Sequence, residues 1–147
     1  MLAKTDPAAM NDFNRLLIDH YRDTGGRLSG VFAGAPMLVL TTVGMKSARA
    51  HTVPLSYVPH PDGDGWVVAV AKSGSPTNPA WYANLRAAGN VATVEVGAGR
   101  FDVRAEVTAG AERIELQRRL VEVWPMQADY QADTTREIPI LILRRTS

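Results

Sequence analysis

Hydrophobic and polar residues follow two different periods along this chain, and each period predicts a different kind of element. Over residues 6–25, apolar residues recur every three or four positions, with an aspartate and a proline at the start and two glycines at the end. This spacing predicts one amphipathic N-terminal helix. Similar spacing predicts two more helices, over residues 78–88 and 111–124.

The rest of the chain consists of short runs rich in β-branched and apolar residues, which predict strands. Compact Gly-containing links at 61–65 and 97–99 are typical of hairpins, so we expect antiparallel pairing. Closure into a barrel would remove the exposed edges of so many short strands. The pattern therefore predicts a mainly β protein, a six-stranded antiparallel barrel with flanking helices. The predicted strands cover residues 37–43, 52–58, 66–71, 91–96, 100–107 and 138–143.

Composition narrows the function classes. The 147 residues fit a single domain, 1–147, and the absence of cysteine excludes disulfides, thiolate nucleophiles and iron–sulfur sites. The three histidines lack metal-ligand spacing, so we expect no metal site. Sixteen basic and fifteen acidic side chains give a net charge of +1, and so small a charge does not favour binding to nucleic acid. We expect a cytoplasmic protein, because no signal peptide or membrane-spanning run is present.

Three segments could carry chemistry. The first, residues 44–51, places Lys46, Ser47, Arg49 and His51 in one short link between strands. Several donors in a tight turn can bind one phosphate or carboxylate. The alternative is a solvated hairpin turn whose charges only maintain solubility.

The second segment, residues 71–85, runs from a strand through a Ser/Gly/Pro loop into a helix. We expect Asn78 to cap this helix, which would direct free backbone amides toward the contents of the loop. Gly74 would let the backbone approach a flat ligand closely. The alternative is an ordinary crossover in which Trp81 and Leu85 pack in the core.

The third segment, residues 124–139, contains Tyr130, whose phenol is protonated at neutral pH and can donate a proton to an oxygen that gains charge. A tyrosine that only bonds the backbone at a helix end is an equal alternative. No dinucleotide-binding glycine fingerprint, phosphate-binding loop or nucleophile elbow is present in the sequence.

Together these segments resemble the deazaflavin-dependent nitroreductase family, whose members use coenzyme F420 on a split β-barrel. The resemblance extends from about Met37 to Leu143. Its strongest parts are residues 40–47, Pro54-Leu55, 78–85, and 129–131 with 136–139.

The resemblance implies an F420H2-dependent reductase that passes a hydride to a small acceptor such as a quinone, an enone or a nitroaromatic. It implies that the basic turn holds the phosphate and acidic tail of the coenzyme, that the second segment borders the deazaflavin ring, and that Tyr130 orients or protonates the acceptor. The implied cofactor-binding residues are Lys46, Ser47, Arg49, His51, Pro54, Ala71, Lys72, Ser73, Gly74, Asn78, Trp81 and Asn84.

Several positions depart from the family pattern. A second basic residue, a glycine and an arginine are common where Met45, Ala48 and His51 stand, and a serine is common where Ala71 stands. A non-catalytic F420-binding carrier and, ranked lower, an FMN-dependent barrel reductase therefore stay open. Pairing into a homodimer and peripheral membrane contact through the N-terminal helix also stay open.

Overall fold

The computed structural model of the chain describes residues 7–27, 36–44, 47–71 and 78–146, with side chains from residue 12 onward. Within these residues the chain forms four helices and seven strands. The helices are α1 (Pro7–Asp23), α2 (Ala80–Ala87), α3 (Gly110–Val123) and α4 (Met126–Ala132). The strands are β1 (Met37–Val43), β2 (Ala50–Ser56), β3 (Val58–Pro59), β4 (Trp66–Ala69), β5 (Val91–Val96), β6 (Gly99–Val107) and β7 (Ile140–Arg145).

The strands form one antiparallel sheet in the order β2-β1-β5-β6-β7-β4-β3. Its two edge strands, β2 and β3, are separated along the chain only by Tyr57. Two edges joined by one residue must lie side by side, so the sheet curls into a barrel. The predicted run 52–58 is one bent segment that pairs with β1 before Tyr57 and with β4 after it, which explains the seventh strand. The predicted fold class is confirmed.

Alternate residues of the strands pack on opposite faces of the curled sheet. In β7, Leu141 and Leu143 belong to an inner cluster, whereas Ile140 and Ile142 belong to an outer cluster beneath α3. This is the period of two that a strand buried on both faces requires. The inner cluster comprises Leu38, Leu40, Val68, Val70, Trp81, Leu85, Val94, Val103, Ala105, Leu141 and Leu143. The outer cluster comprises Val58, Val67, Ala69, Leu116, Leu120, Trp124, Ile138, Ile140 and Ile142.

The register defines two ends of the barrel. At the upper end, β1 leaves the sheet at Val43, β2 enters at Ala50, and β5 begins at Val91 directly after α2. At the lower end lie the 97–98 turn and the 60–65 loop. Because β4 and β7 are antiparallel, β4 finishes and β7 starts at the upper end. The segment 71–79 therefore leaves β4 there, and the segment 133–139 enters β7 there. The three segments singled out in the sequence therefore lead to the same end of the barrel.

At the lower end, α1 is fastened to the outer face of the sheet. Tyr21 Oη donates to Met37 O over 2.9 Å and accepts from Gly97 N–H over 2.7 Å. Arg22 makes a two-pronged contact with the Glu95 carboxylate, at 2.9 and 2.8 Å. The Arg22 contact holds the pKa of Glu95 below its ordinary value, and burial raises the pKa of Tyr21.

One local prediction is wrong, and one short helix was not predicted. The helix after residue 78 begins at Ala80 with Pro79 as its N-cap residue and no side-chain cap, so the prediction that Asn78 caps it is wrong. Asn78 instead accepts a hydrogen bond from Arg136 through Oδ1, at 2.9 Å. Helix α4 was not predicted, because its seven residues are too few to show helical periodicity after Pro125.

Candidate functional site

The link between β1 and β2 is closed by its own backbone. Gly44 N–H donates to Arg49 O at 2.8 Å, and Ala48 N–H donates to Gly44 O at 3.0 Å. Ala48 has a φ of 56°, in the left-handed region that favours glycine. The tight turn places Ser47, Arg49 and His51 within one short closed segment.

The polar side chains of this turn lie over Gly44. Ser47 Oγ accepts a hydrogen bond from Arg49 N–H at 3.2 Å and lies 3.0 Å from His51 Nε2. A Cβ on Gly44 would come within 2.5 Å of Ser47 Oγ and 2.6 Å of His51 Nε2, so only glycine permits this packing. Ser47, Arg49 and His51 are all exposed. The turn therefore presents a hydroxyl, a guanidinium and an imidazole to solvent at the upper end.

The β1–β2 register assigns a face to each neighbouring residue. His51 pairs with Thr42, and Val53 pairs with Leu40 of the inner cluster. Opposed residues of an antiparallel pair share a face, so His51 and Thr42 both lie on the inner side of the barrel. Pro54 pairs with Val39, which packs against α1, and so lies on the outer face.

The second and third segments are joined directly. Arg136 Nη1 donates to Val70 O at 3.1 Å and to Asn78 Oδ1 at 2.9 Å. These two partners stand at either end of residues 71–77. Burial lowers the pKa of Arg136 from its ordinary value, although an arginine stays charged at neutral pH. One guanidinium thus fixes the spacing between the end of β4 and the start of α2.

A buried network holds this segment against the helices. Arg113 is 8% exposed and donates to Ile138 O through Nη2 at 2.6 Å. The side-chain carbonyl of Gln131 accepts from Ile138 N–H at 3.0 Å and from Arg113, while its amide donates to Arg136 O at 2.8 Å. Tyr130 precedes Gln131, so the network sets the position of both Tyr130 and Arg136.

The remaining predicted residues lie on both faces of the sheet. Trp81 is 6% exposed and packs in the inner cluster, as the core alternative proposed, and Asn84 is half-buried one turn further along α2. Ala71 and Tyr130 are half-buried and pack against the outer cluster. Lys46, Lys72, Ser73 and Gly74 lie outside the described residues.

A surface cleft of about 370 Å³ lies between α1 and β2 and is lined in part by His51. The arginines along it already have acidic partners: Arg15 contacts Asp12 at 3.1 Å, and Arg22 contacts Glu95. The cleft is therefore a weaker anion site than the exposed turn beside it.

Comparison with known proteins decides the family. The model for F420H(2)-dependent quinone reductases matches residues 13–145. The chain belongs to this family. An F420H(2)-dependent quinone reductase of Mycobacterium tuberculosis (strain H37Rv) is 33% identical over 134 residues, which cover 85% of each chain.

Solved structures agree with the assignment to the F420H(2)-dependent quinone reductase family. An F420-H2 dependent reductase, FDR-A, is 34% identical with a TM-score of 0.65, covering 74% of this chain and 94% of its own. A chain described as a domain-swapped dimer is 30% identical with a TM-score of 0.67, covering 95% of this chain and all of its own. The predictions of a split-barrel fold, of an F420-dependent oxidoreductase and of F420 as the cofactor are confirmed.

Sequence reasoning assigned no role to Thr42, Arg113 or Gln131. Thr42 lies in a β-rich run where threonine is common, and its buried hydroxyl becomes visible only once the register is known. Arg113 lies on the buried face of α3 with Leu116 and Leu120. A charged residue within an otherwise apolar helix face was the sequence signal that could have identified it. None of the described helices is long and apolar enough to cross a bilayer.

Proposed function

We propose that this chain reduces a quinone with F420H2 at the upper end of its barrel. The observation that carries the proposal is the meeting at that end of an exposed basic turn, the Arg136 bridge across residues 71–77, and α2. The upper end therefore has a basic turn at its rim and the apolar side chains of the inner cluster within the barrel. This is the division of chemistry that a flat ligand with an anionic tail requires.

The donor set fits coenzyme F420. Arg49 and His51 are exposed, and Ser47 adds a hydroxyl beside them, so the turn can bind phosphate or carboxylate oxygens. When bound, F420H2 supplies the hydride. We assign Lys46, Ser47, Arg49 and His51 to the anionic part of the coenzyme, with Arg49 as the principal described cation.

Residues of the second segment are assigned to the ring. Ala71 follows β4 at the upper end, and Asn78 precedes α2. Lys72, Ser73 and Gly74, which lie outside the described residues, are assigned to the ring with Ala71 on the family resemblance. Asn78 contributes by holding Arg136, so its effect on the coenzyme is indirect. Trp81 supplies an apolar wall from the inner cluster, and Asn84 lies one turn further along the same helix. Pro54 faces outward, so any contact it makes is with the far end of the tail.

Tyr130 is proposed as the group that donates a proton to the quinone oxygen. Its position is fixed by the neighbouring Gln131, which is hydrogen-bonded to Ile138 and Arg136. The family pattern that this chain resembles commonly has a serine where Ala71 stands, and alanine offers no hydroxyl. Because position 71 offers no hydroxyl, we assign the hydrogen bond to the acceptor to the phenol of Tyr130.

The direct test mixes the purified chain with F420H2 and menadione and follows the absorbance band of the coenzyme. We expect enzyme-dependent oxidation, and Tyr130→Phe should lower kcat about tenfold or more, the usual scale for a positioned proton donor. Tyr57→Phe removes a half-buried phenol between β2 and β3 and should leave kcat unchanged. Tight F420 binding without turnover on any of several quinones, enones and nitroaromatics would instead indicate the carrier alternative.

We further infer that the chain pairs with a second copy. The described part of α1 exposes Phe13 and Leu16, at 39% and 65%, and a similar solved chain is described as a domain-swapped dimer. Light scattering of the purified chain should give twice the monomer mass, and a monomer at micromolar concentration would contradict it. Peripheral membrane contact through α1 stays a prediction, which co-sedimentation with anionic liposomes tests.

A further inference from the structure

Thr42 carries the buried hydroxyl that the described part of the chain leaves without a hydrogen bond. The residue is 3% exposed, and Oγ1 has no hydrogen-bond partner. Thr108, the other buried threonine among these residues, donates through Oγ1 to Ile140 O at 2.7 Å. Buried polar groups of native proteins are nearly always paired, and an unpaired one lowers stability. The partner of the Thr42 hydroxyl therefore comes from outside the chain, either as a water molecule or as an atom of a ligand.

The register gives the face of the sheet on which the Thr42 side chain lies. Thr42 lies on the inner face with Leu38 and Leu40, one pleat above them and two residues before Gly44. Directly opposite stands His51, whose imidazole contacts Ser47. The hydroxyl therefore lies where the apolar interior of the barrel meets the basic turn.

A hydroxyl at this boundary suits an uncharged polar atom better than a charged one. Threonine donates one hydrogen bond and accepts others, but it carries no charge to balance a phosphate. The exposed cations at the rim are placed for the anionic part of a ligand, and Thr42 lies further inward. An oxygen between the anionic tail and the flat ring of the ligand matches that position.

We infer that Thr42 is a further coenzyme-binding residue, whose hydroxyl donates a hydrogen bond to an oxygen of F420 inward of the anion held by the Arg49 turn. The inference rests on the proposed function, because it assumes that F420 binds at the upper end. It adds a residue that neither the family match nor the sequence motifs assign.

Thr42→Val tests the inference, because valine keeps the shape of threonine and removes only the hydroxyl. Fluorescence titration of the full chain with oxidised F420 should show a Kd about threefold to tenfold higher than that of the wild type, the range for one neutral hydrogen bond. The melting temperature of the coenzyme-free variant should be unchanged or higher. Thr42→Ser, which retains the hydroxyl, should bind F420 more tightly than Thr42→Val.

Two controls separate binding from stability. Thr41→Val makes the same change one residue away on the outer face, opposite Thr52, and should leave the Kd unchanged. Thr108→Val removes a hydroxyl that is hydrogen-bonded and should lower the melting temperature.

The outcomes distinguish the two proposals. Wild-type binding of F420 with an unchanged Kd in Thr42→Val would overturn the Thr42 inference alone. A fall in melting temperature for Thr42→Val as large as that for Thr108→Val would also overturn it, because the hydroxyl would then have a partner within the protein. Failure of the wild type to bind F420 would overturn the proposed function together with the inference.

Discussion

The lower end of the barrel and the β1–β2 side of its upper end differ in how their polar groups are paired. At the lower end, the Tyr21 hydroxyl bonds both Met37 and Gly97, and Arg22 pairs with Glu95. At the upper end, the turn between β1 and β2 leaves its cation Arg49 exposed and its neighbour Thr42 with an unpaired buried hydroxyl. Polar side chains that stabilise the fold are hydrogen-bonded within the chain, whereas polar side chains that bind a ligand need hydrogen-bonding capacity that the chain does not use. We therefore assign ligand recognition to the β1–β2 side of the upper end, and a purely structural role to the paired groups of the lower end.

The largest effect should follow from Tyr21→Phe, which affects the lower end alone. The change leaves the Gly97 N–H and the Met37 carbonyl without their partner, which should cost about 2 to 3 kcal/mol of the free energy of unfolding. Thermal denaturation should show a melting temperature lower by several degrees. The Kd for F420 should not change, and a weakened affinity would mean that the two ends are coupled.

Arg49→Ala should have the next largest effect, confined to the upper end. Loss of one charge-assisted contact at an exposed site should weaken F420 binding about tenfold, equivalent to about 1.4 kcal/mol. Arg144→Ala is the matched control, because Arg144 pairs with Asp62 and Glu106 near the lower end. Fluorescence titration should show reduced affinity only for Arg49→Ala. Equal affinity for the two variants would contradict the assignment of the turn.

Acid stability should reveal the Arg22–Glu95 pair. Because the folded-state pKa of Glu95 is lowered from 4.5, the pair stabilises the protein above that pH and loses its effect as pH falls through the lower folded value. Glu95→Gln should lose about 0.5 to 1 kcal/mol near pH 7 and should differ less from the wild type in acid. Denaturant titrations at several pH values measure this, with Arg22→Gln added to complete a double-mutant cycle. A stability difference that persists unchanged at pH 3 would contradict it.

The smallest effect should come from Ala48→Gly. Ala48 adopts a φ of 56°, where a side chain is strained, and glycine relieves that strain at some cost in unfolded-state entropy. The expected gain is about 0.5 kcal/mol in the free energy of unfolding. Chemical denaturation should detect it, and a destabilised variant would mean that the turn gains more from alanine than its backbone suggests.

The strand pattern could be predicted because alternation and hairpin glycines are local signals. Residues 91–96 and 37–43 were predicted with the bounds the structure has. The division of the 52–58 run at Tyr57 could not be predicted, because it follows from closure of the sheet, which depends on contacts distant in sequence. The Asn78 cap failed for a related reason, because Arg136, 58 residues away, binds its side chain.

The candidate site was predictable where residue type alone indicates chemistry, as with the donors of the 44–51 turn. Thr42 was not predictable, because a threonine in a strand is ordinary until its register, burial and unpaired hydroxyl are known together. Trp81 illustrates the reverse case. Its residue type suggested that it lines a ligand site, whereas its exposure of only 6% shows that it packs in the core.

Hydrogen–deuterium exchange with and without oxidised F420 shows which end of the barrel binds the coenzyme. Binding at the upper end should slow exchange in peptides that cover residues 42–53 and the first turn of α2. The 97–98 turn and the 60–65 loop should exchange at the same rate in both samples. Protection confined to those lower-end loops, with unchanged exchange over residues 42–53, would contradict the account.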